Sequence, residues 1–255
     1  MKARKAPRRR KRAARAKPVN VAGLIRSVAA DLKRAKLVFA HGTTDPAVEA
    51  AFIVAETLGI HPDFIESRAT MPVTAARQKK IAKLAERRIR TRKPAAYLLK
   101  RIYMLGVPFY IDERAIVPRS FLGEVLASEL FAGQDFSLLL DDDAIGNVLD
   151  LCTGSGCLAI LAAMRFPGAR VDAVDLSKDA IEIAKQNVAE HKLKKRVRVL
   201  RGDQFRPLDR ECLPLPIERR RPFGLQPGHV LVQCLAKLAG DFAAPRLLLR
   251  GECGL

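Results

Sequence analysis

Between residues 147 and 201 the chain alternates strand-like and helix-like segments, and this alternation limits the fold more than any other feature. Val148-Leu-Asp-Leu reads as a buried strand, followed by a glycine turn and then helical spacing over Leu158–Phe166. Ala169-Arg-Val-Asp-Ala-Val-Asp reads as a second strand. Lys178–His191 reads as a second helix, with Ala180, Ile181, Ile183, Ala184 and Val188 as its inner stripe. Arg196-Val-Arg-Val-Leu reads as a third strand. Strands that alternate with helices in this way form a parallel sheet covered by helices on its faces. The expected fold class is α/β, a Rossmann-like domain.

The turn after the first of these strands carries the chemistry. Gly154 and Gly156, in Cys152-Thr-Gly-Ser-Gly-Cys, let the backbone turn sharply and approach a ligand with no Cβ in the way. A lone G-x-G is weak, but its place after a strand and before a helix strengthens it. Asp150 closes the first strand, Asp175 the second and Asp203 the third. An acid at the position of Asp175 suits two hydrogen bonds from ribose hydroxyls. Three acids at successive strand ends describe a cleft at the carboxyl edge of the sheet. The plainer reading of Asp150 and Asp203 is that they form strand-end turns. Ala159, three residues after Gly156, is tolerated by the dinucleotide fingerprint, so a nicotinamide-dependent oxidoreductase stays open on spacing alone.

Upstream the pattern is helical. Residues 19–37 place Val21, Leu24, Ile25, Val28 and Leu32 at helical spacing. A turn at His41-Gly-Thr-Thr-Asp-Pro gives Thr44 or Asp45 as a cap, with Pro46 first in a helix that stops near Gly59. A third helix, Thr74–Thr91, turns Ile81, Leu84 and Ile89 inward and many Lys and Arg outward, a face whose plainer reading is solvation. Ile102-Tyr-Met-Leu and Pro108-Phe-Tyr-Ile-Asp flank Gly106 as a hairpin, and residues 120–131 return to helix. Asp141-Asp-Asp-Ala-Ile-Gly reads as an acidic loop. The expected organisation is a disordered tail (1–18), a helical substrate-recognition domain (19–100), a hairpin linker (101–115), a Rossmann-like domain (116–205) and a divergent segment (206–255).

Charge adds one partner class. Of the net +19, ten positive charges lie in residues 2–17, which contain no acid. Such a block repels itself and favours disorder. It would attract RNA in a salt-sensitive, sequence-independent way, or it is a solubilising tail. The five cysteines and four histidines make no metal pattern, and Cys152 and Cys157 are expected to serve packing. No apolar run is long enough for a membrane span, and reduced cysteines fit a cytoplasmic protein.

From Asn20 to Phe205, nearly three quarters of its length, the chain resembles the HemK/PrmB class of protein-glutamine N5-methyltransferases. It is most similar to the branch acting on large-subunit ribosomal protein L-three. The residues that carry the likeness are Leu37-Val-Phe-Ala-His-Gly-Thr, Pro94-Ala-Ala-Tyr-Leu and Phe109-Tyr-Ile-Asp-Glu-Arg-Ala-Ile-Val-Pro-Arg-Ser-Phe. Asn147-Val-Leu-Asp-Leu-Cys-Thr-Gly-Ser-Gly-Cys-Leu-Ala-Ile and Val171-Asp-Ala-Val-Asp-Leu-Ser complete it. The resemblance implies S-adenosyl-L-methionine as donor and a glutamine side-chain amide of a ribosomal protein as acceptor. It implies that Thr153, Gly154, Ser155, Gly156 and Cys157 pass beneath the methionine part of the cofactor. Asp175 would hold the ribose, and Asp203 with Gln204 and Phe205 would flank the adenine. Pro118, Arg119 and Ser120 would line the substrate side.

Two departures stand out. Leu99-Lys100 replaces the Thr-Gly common in the family. The Asn-Pro-Pro-Tyr turn that grips the acceptor amide in the family is absent, because residues 206–255 contain neither Asn nor Tyr. No catalytic residue is therefore assigned. Prolines 214, 216 and 222 disfavour a central strand where the fourth one is expected, in Cys212–Gly228. The loss of every expected motif at one point suggests a reading frame shifted after about Phe205, leaving the sheet incomplete at its C-terminal side with an open edge. The alternatives are a cofactor-binding remnant without activity and, third, a nucleic-acid methyltransferase, against which the Val117-Pro-Arg-Ser block and the helical N-terminal region argue.

Overall fold

The computed structural model describes residues 19–39, 45–118, 120–127, 145–203 and 229–233. The expectations for residues 1–18, Thr44, Arg119, the end of the 120–131 helix, the acidic loop's Asp141–Asp143, Gln204 and Phe205 lie outside these.

The first helix, α1 (Val21–Arg34), starts where the Asn20 side chain accepts the Gly23 N–H at 2.9 Å, and it ends on Lys33 and Arg34. Both ends suit the helix dipole and its unpaired amides. In α2 (Pro46–Leu58), Asp45 is the cap, accepting from the Ala47 N–H at 2.7 Å, and Gly59 closes the helix at φ 70°. Helices α3 (Ala75–Thr91) and α4 (Ala95–Leu99) complete this half. Val21, Leu32, Ile53 and Ile81 are wholly buried in its core. Each such side chain contributes about 1.5–3 kcal/mol by leaving water.

One member of this core is ionic. Arg88 of α3 is 2% exposed and donates to Glu49 of α2 at 2.9 Å and 3.3 Å. The same carboxylate accepts the Ala95 N–H at 2.9 Å, so one acid joins α2, α3 and the start of α4. Chain entry is fixed as well: the Val73 N–H donates to the Val19 carbonyl at 2.9 Å, and Asn20 bridges Pro72.

A short antiparallel hairpin follows, β1 (Ile102–Met104) and β2 (Val107–Phe109). Its two turn residues, Leu105 and Gly106, both have positive φ (52° and 73°), the geometry that matches strand twist. Each side of the hairpin is held by a different partner. On the helical side, the Tyr103 hydroxyl donates to Glu56 at 2.7 Å, and His61 Nε2 donates to the Gly106 carbonyl at 2.9 Å. On the other side, His191 Nε2 donates to the Pro108 carbonyl at 2.8 Å.

After α5 (Phe121–Ala127) come β3 (Asn147–Leu151), α6 (Cys157–Arg165), β4 (Arg170–Asp175), α7 (Lys178–Glu190) and β5 (Val197–Arg201). The strands form a parallel sheet in the order β5-β4-β3-β6, where β6 is His229–Gln233. The alternation read from the sequence is thus present, and the fold is a Rossmann-like sheet preceded by a helical unit and a hairpin. Phe166, Ile160, Val171 and Ala173 are wholly buried between the sheet and its helices.

Two expectations are corrected. The fourth strand was expected within Cys212–Gly228. It lies just beyond, at 229–233, paired with β3 so that Leu151 stands opposite Gln233. The prolines precede it and do not interrupt it, and β3 has a neighbour on each side, which makes β6 the outermost strand on that side among the described residues. The third strand ends at Arg201, so Asp203 stands two residues past it and is exposed.

Candidate functional site

The glycine turn sits where β3 gives way to α6. Asp150, the penultimate residue of β3, is wholly buried. Its Oδ2 accepts from the Thr153 hydroxyl at 2.5 Å and from the Ala159 N–H at 3.1 Å, which folds the turn around one carboxylate oxygen. Its Oδ1 is buried without a hydrogen-bond partner among the described residues. Burial pushes the Asp150 carboxyl up to about 7, against the pull of the Thr153 and Ala159 bonds, and Asp175 pushes it in the same direction. The plainer reading, a turn-forming carboxylate, therefore describes one of its oxygens and leaves the other over.

The two glycines serve different ends. Gly154 has φ 56°, and a Cβ added there would meet nothing within 4 Å. It leaves open space above the turn. Gly156 has φ 80°, and a Cβ there would lie 3.2 Å from Cα and 3.1 Å from Cβ of Ala184. It allows α6 to start against α7. Ser155 and Cys157 are both buried, so this stretch offers backbone rather than side chains to a ligand.

Asp175 closes β4 beside the turn. Its Oδ2 accepts the Gly154 N–H at 2.8 Å and its Oδ1 accepts the Ser177 N–H at 2.9 Å. Each carboxylate oxygen has a second acceptor site, so the carboxylate can still receive a pair of hydroxyls. Cys152 lies among the three acids. The partial burial of its thiol pushes it up, and the charges of Asp175, Asp150 and Asp203 add to this. The expectation that Cys152 packs is corrected: it is exposed, at φ 59°, whereas Cys157 is buried as expected. The strand terminates in the left-handed region at Cys152, which carries its side chain out of the sheet.

The structure therefore brings together Asp150, Cys152, Thr153, Gly154, Asp175 and Asp203. Among the described residues neither Pro118 nor Ser120 contacts this group. Ser120 caps α5, accepting from the Leu122 N–H at 3.2 Å. Val117, next to Pro118, is buried in a cluster with Ile183 of α7, one residue before the Ala184 that faces Gly156.

One residue was missed by sequence reasoning. Asn187 is wholly buried on the inner face of α7. Its Nδ2 donates to the Ser155 carbonyl at 2.8 Å and to the Tyr110 carbonyl at 3.0 Å, while its Oδ1 accepts the Tyr110 N–H at 2.7 Å. The available signal was its spacing, three residues after Ala184 and seven after Ala180 on the apolar stripe.

A parallel sheet with a glycine turn after one strand and an acid closing the next is the Rossmann-like arrangement that holds a nucleoside-containing cofactor at its carboxyl edge. A family profile described as "Methyltransferase small domain" matches residues 132–213, and one described as "PrmC N-terminal domain" matches residues 13–99. The chain belongs to the family of ribosomal protein uL3 glutamine methyltransferases. It is 39% identical over 232 residues to the protein of that name from Burkholderia pseudomallei, covering 91% of this chain and 74% of that one. It is 55% identical over 191 residues to the one from Bradyrhizobium diazoefficiens, covering 74% of this chain and 60% of that one. The Bordetella pertussis protein of that name is 39% identical over 185 residues. The chain thus spans about 60% of the length of the Bradyrhizobium relative. Among the described residues no helix is long and apolar enough to cross a membrane.

Proposed function

We propose that this chain binds S-adenosyl-L-methionine at the glycine turn and serves methyl transfer to the side-chain amide nitrogen of a glutamine in a large-subunit ribosomal protein, in the cytoplasm. The observation that carries the cofactor half is the pairing of Gly154 and Asp175. Gly154 leaves space over the turn, and Asp175 borders that space with acceptor capacity to spare. In this reading Thr153–Cys157 underlie the methionine part and Asp175 holds the ribose. Asp203 and Gln204 flank the adenine, and Pro118, Arg119 and Ser120 face the substrate. Asp150 joins the site through its unpaired Oδ1, a buried acceptor at the base of the turn. The division near residues 100 and 115 into helical unit, hairpin and sheet is part of the same proposal.

The cofactor's sulfonium supplies an electrophilic methyl group. The acids at the strand ends make the local potential negative, which favours a cationic ligand. An amide nitrogen is a poor nucleophile because its lone pair is delocalised, so the protein's task is orientation and exclusion of water.

A second reading is favoured by one observation. The strand β6 lies beside β3, and the sequence after it reads Cys234-Leu-Ala-Lys-Leu-Ala-Gly, without the amide-gripping turn of the family. In that reading the chain binds the cofactor and transfers nothing. Calorimetry with S-adenosylhomocysteine, followed by assay with a glutamine peptide and labelled donor, separates the two. Binding with turnover supports transfer, and binding without turnover supports the second reading. Nicotinamide dinucleotide binding in place of S-adenosylhomocysteine would remove both.

A further inference from the structure

The cations of α3 fall into two sets. Arg77 donates to the Leu58 carbonyl at 3.4 Å, and Arg88 is buried on Glu49. Arg92, just past the helix, donates to the Lys36 carbonyl at 2.8 Å, and Lys93 holds Glu113 at 2.8 Å. These four are committed within the fold. Lys79, Lys80, Lys83, Arg87 and Arg90 are exposed, and among the described residues their side chains have no ion-pair or hydrogen-bond partner.

The second set is also ordered in space. At about 100° per residue, the five fall within an arc of about 100° opposite Ile81, Ala85 and Arg88. The one acid of α3, Glu86, borders that arc. From Lys79 to Arg90 the stripe runs about 16 Å along the helix, at 1.5 Å per residue. Like charges three and four positions apart cost a helix a few tenths of a kcal/mol each, and the single acid of α3, Glu86, stands against five cations. Residues 2–17 carry ten cations, and the chain enters the fold at Val19, whose carbonyl is bonded to Val73, just before α3 begins.

We propose that the outward face of α3, from Lys79 to Arg90, is a docking surface for the phosphate backbone of RNA, held without base reading. The charge pattern demands a polyanion, and the composition of the face selects among polyanions. The apolar side chains of α3 point into the domain core, leaving none to enter a membrane. Ala76 stands within the arc of cations, and Glu86 and Thr91 stand at its two borders, with no aromatic or large apolar group to seat in a protein partner. The absence of aromatics on this face also rules out base stacking as its mode, leaving the backbone. That the nucleic acid is RNA rests on the ribosomal substrate proposed above. The charge-driven binding does not.

The test is fluorescence anisotropy of the full chain with a labelled RNA duplex of about 20 base pairs, enough for several phosphate contacts, across a salt series. A variant with Lys79, Lys80, Lys83, Arg87 and Arg90 all changed to Gln is compared with the parent. Binding should weaken at least tenfold near physiological salt. The slope of log affinity against log salt should become shallower by about 0.7–0.9 per phosphate contact removed. The milder pair Lys83→Gln and Arg87→Gln should give a proportionate part of both effects. Unchanged melting temperature and S-adenosylhomocysteine binding in the same variants show that the fold is intact. An unchanged slope in the five-fold variant, with binding lost only when Arg8, Arg9, Arg10, Lys11 and Arg12 are changed to Gln, overturns the proposal. So does equal, stripe-dependent binding to phosphatidylglycerol vesicles or to polyglutamate. RNA binding that depends on the stripe in a chain that methylates no glutamine peptide upholds this surface and counts against the proposed activity alone.

Discussion

The side-chain amide of Asn187 donates to the carbonyl of Ser155 at 2.8 Å, tying the middle of α7 to the glycine turn. The same side chain exchanges two hydrogen bonds with the backbone of Tyr110 at the exit of the hairpin. Three backbone groups from two distant segments thus share one buried amide. Replacing Asn187 by Leu would leave them unpaired, at about 1–3 kcal/mol each before relaxation. Asn187→Leu should lower the urea midpoint markedly and weaken S-adenosylhomocysteine binding. A variant with unchanged stability would show that these groups find other partners.

Asp150 sets a pH dependence. In an unfolded chain an aspartate titrates near 4. In the fold, burial raises Asp150 to about 7. The folded state therefore retains a proton that the unfolded chain releases between those values. This contribution to stability is fully present below about pH 4 and is lost as pH rises through 7. Asp150→Asn removes the titration while keeping an oxygen for Thr153 and Ala159. The stability difference, variant minus parent, should grow in favour of the variant from pH 4.5 to pH 7.5 in urea titrations. Parallel curves would contradict the assignment.

Glu49 and Arg88 are expected to behave as a unit. Glu49→Leu strands the Arg88 guanidinium in the core and frees the Ala95 N–H, for a loss of about 3–5 kcal/mol. The double change Glu49→Leu, Arg88→Met removes both charges and should recover a large part of it. A double-mutant cycle by chemical denaturation reads the coupling directly.

The two glycines of the turn should separate in their effects. Ala at either position adopts a left-handed conformation at about 1–2 kcal/mol. At Gly156 the new methyl also meets the Ala184 backbone, so Gly156→Ala should be the more destabilising of the two. At Gly154 the methyl enters open space, so Gly154→Ala should fold better and lose more of its affinity for S-adenosylhomocysteine. Melting temperature and calorimetry on both variants check the crossing of the two effects.

Lys100 offers a gain. It caps α4 in the left-handed region at φ 54°, donating its N–H to the Ala96 carbonyl. Lys100→Gly restores the residue common in the family at a position that suits glycine. Net of glycine's greater freedom in the unfolded chain, it should raise stability by up to about 1 kcal/mol. A lower melting temperature would show that the lysine side chain matters there.

Much of the architecture was legible because its signals are local. The alternation from Asn147 to Arg201, the Asp45-Pro46 helix start and the hairpin around Gly106 all follow from periodicity and turn chemistry within short windows. What escaped depends on distant partners. Arg88 reads as one more surface cation until Glu49, thirty-nine residues earlier, is placed beside it. Asn187 reads as a blemish on an apolar stripe until Tyr110 and Ser155 arrive from elsewhere. The position of β6 escaped because the prolines at 214, 216 and 222 dominate the local signal, and they lie ahead of the strand rather than in it. At the site, the spacing located Asp150 and Asp175 together, but burial, which separates their environments, is a tertiary property.

The hairpin is gripped on its first strand by Glu56 of the helical unit and on its second by His191 at the end of α7. A joint clamped on both sides does not act as a swivel. If the helical half seats the acceptor protein, as the proposed function holds, the two halves would work as a ruler, and that partner would meet the glycine turn at one set distance. Selectivity among acceptors would come from reach: a side chain displaced by a residue or two along its own polypeptide would fall short of the mark or overshoot it.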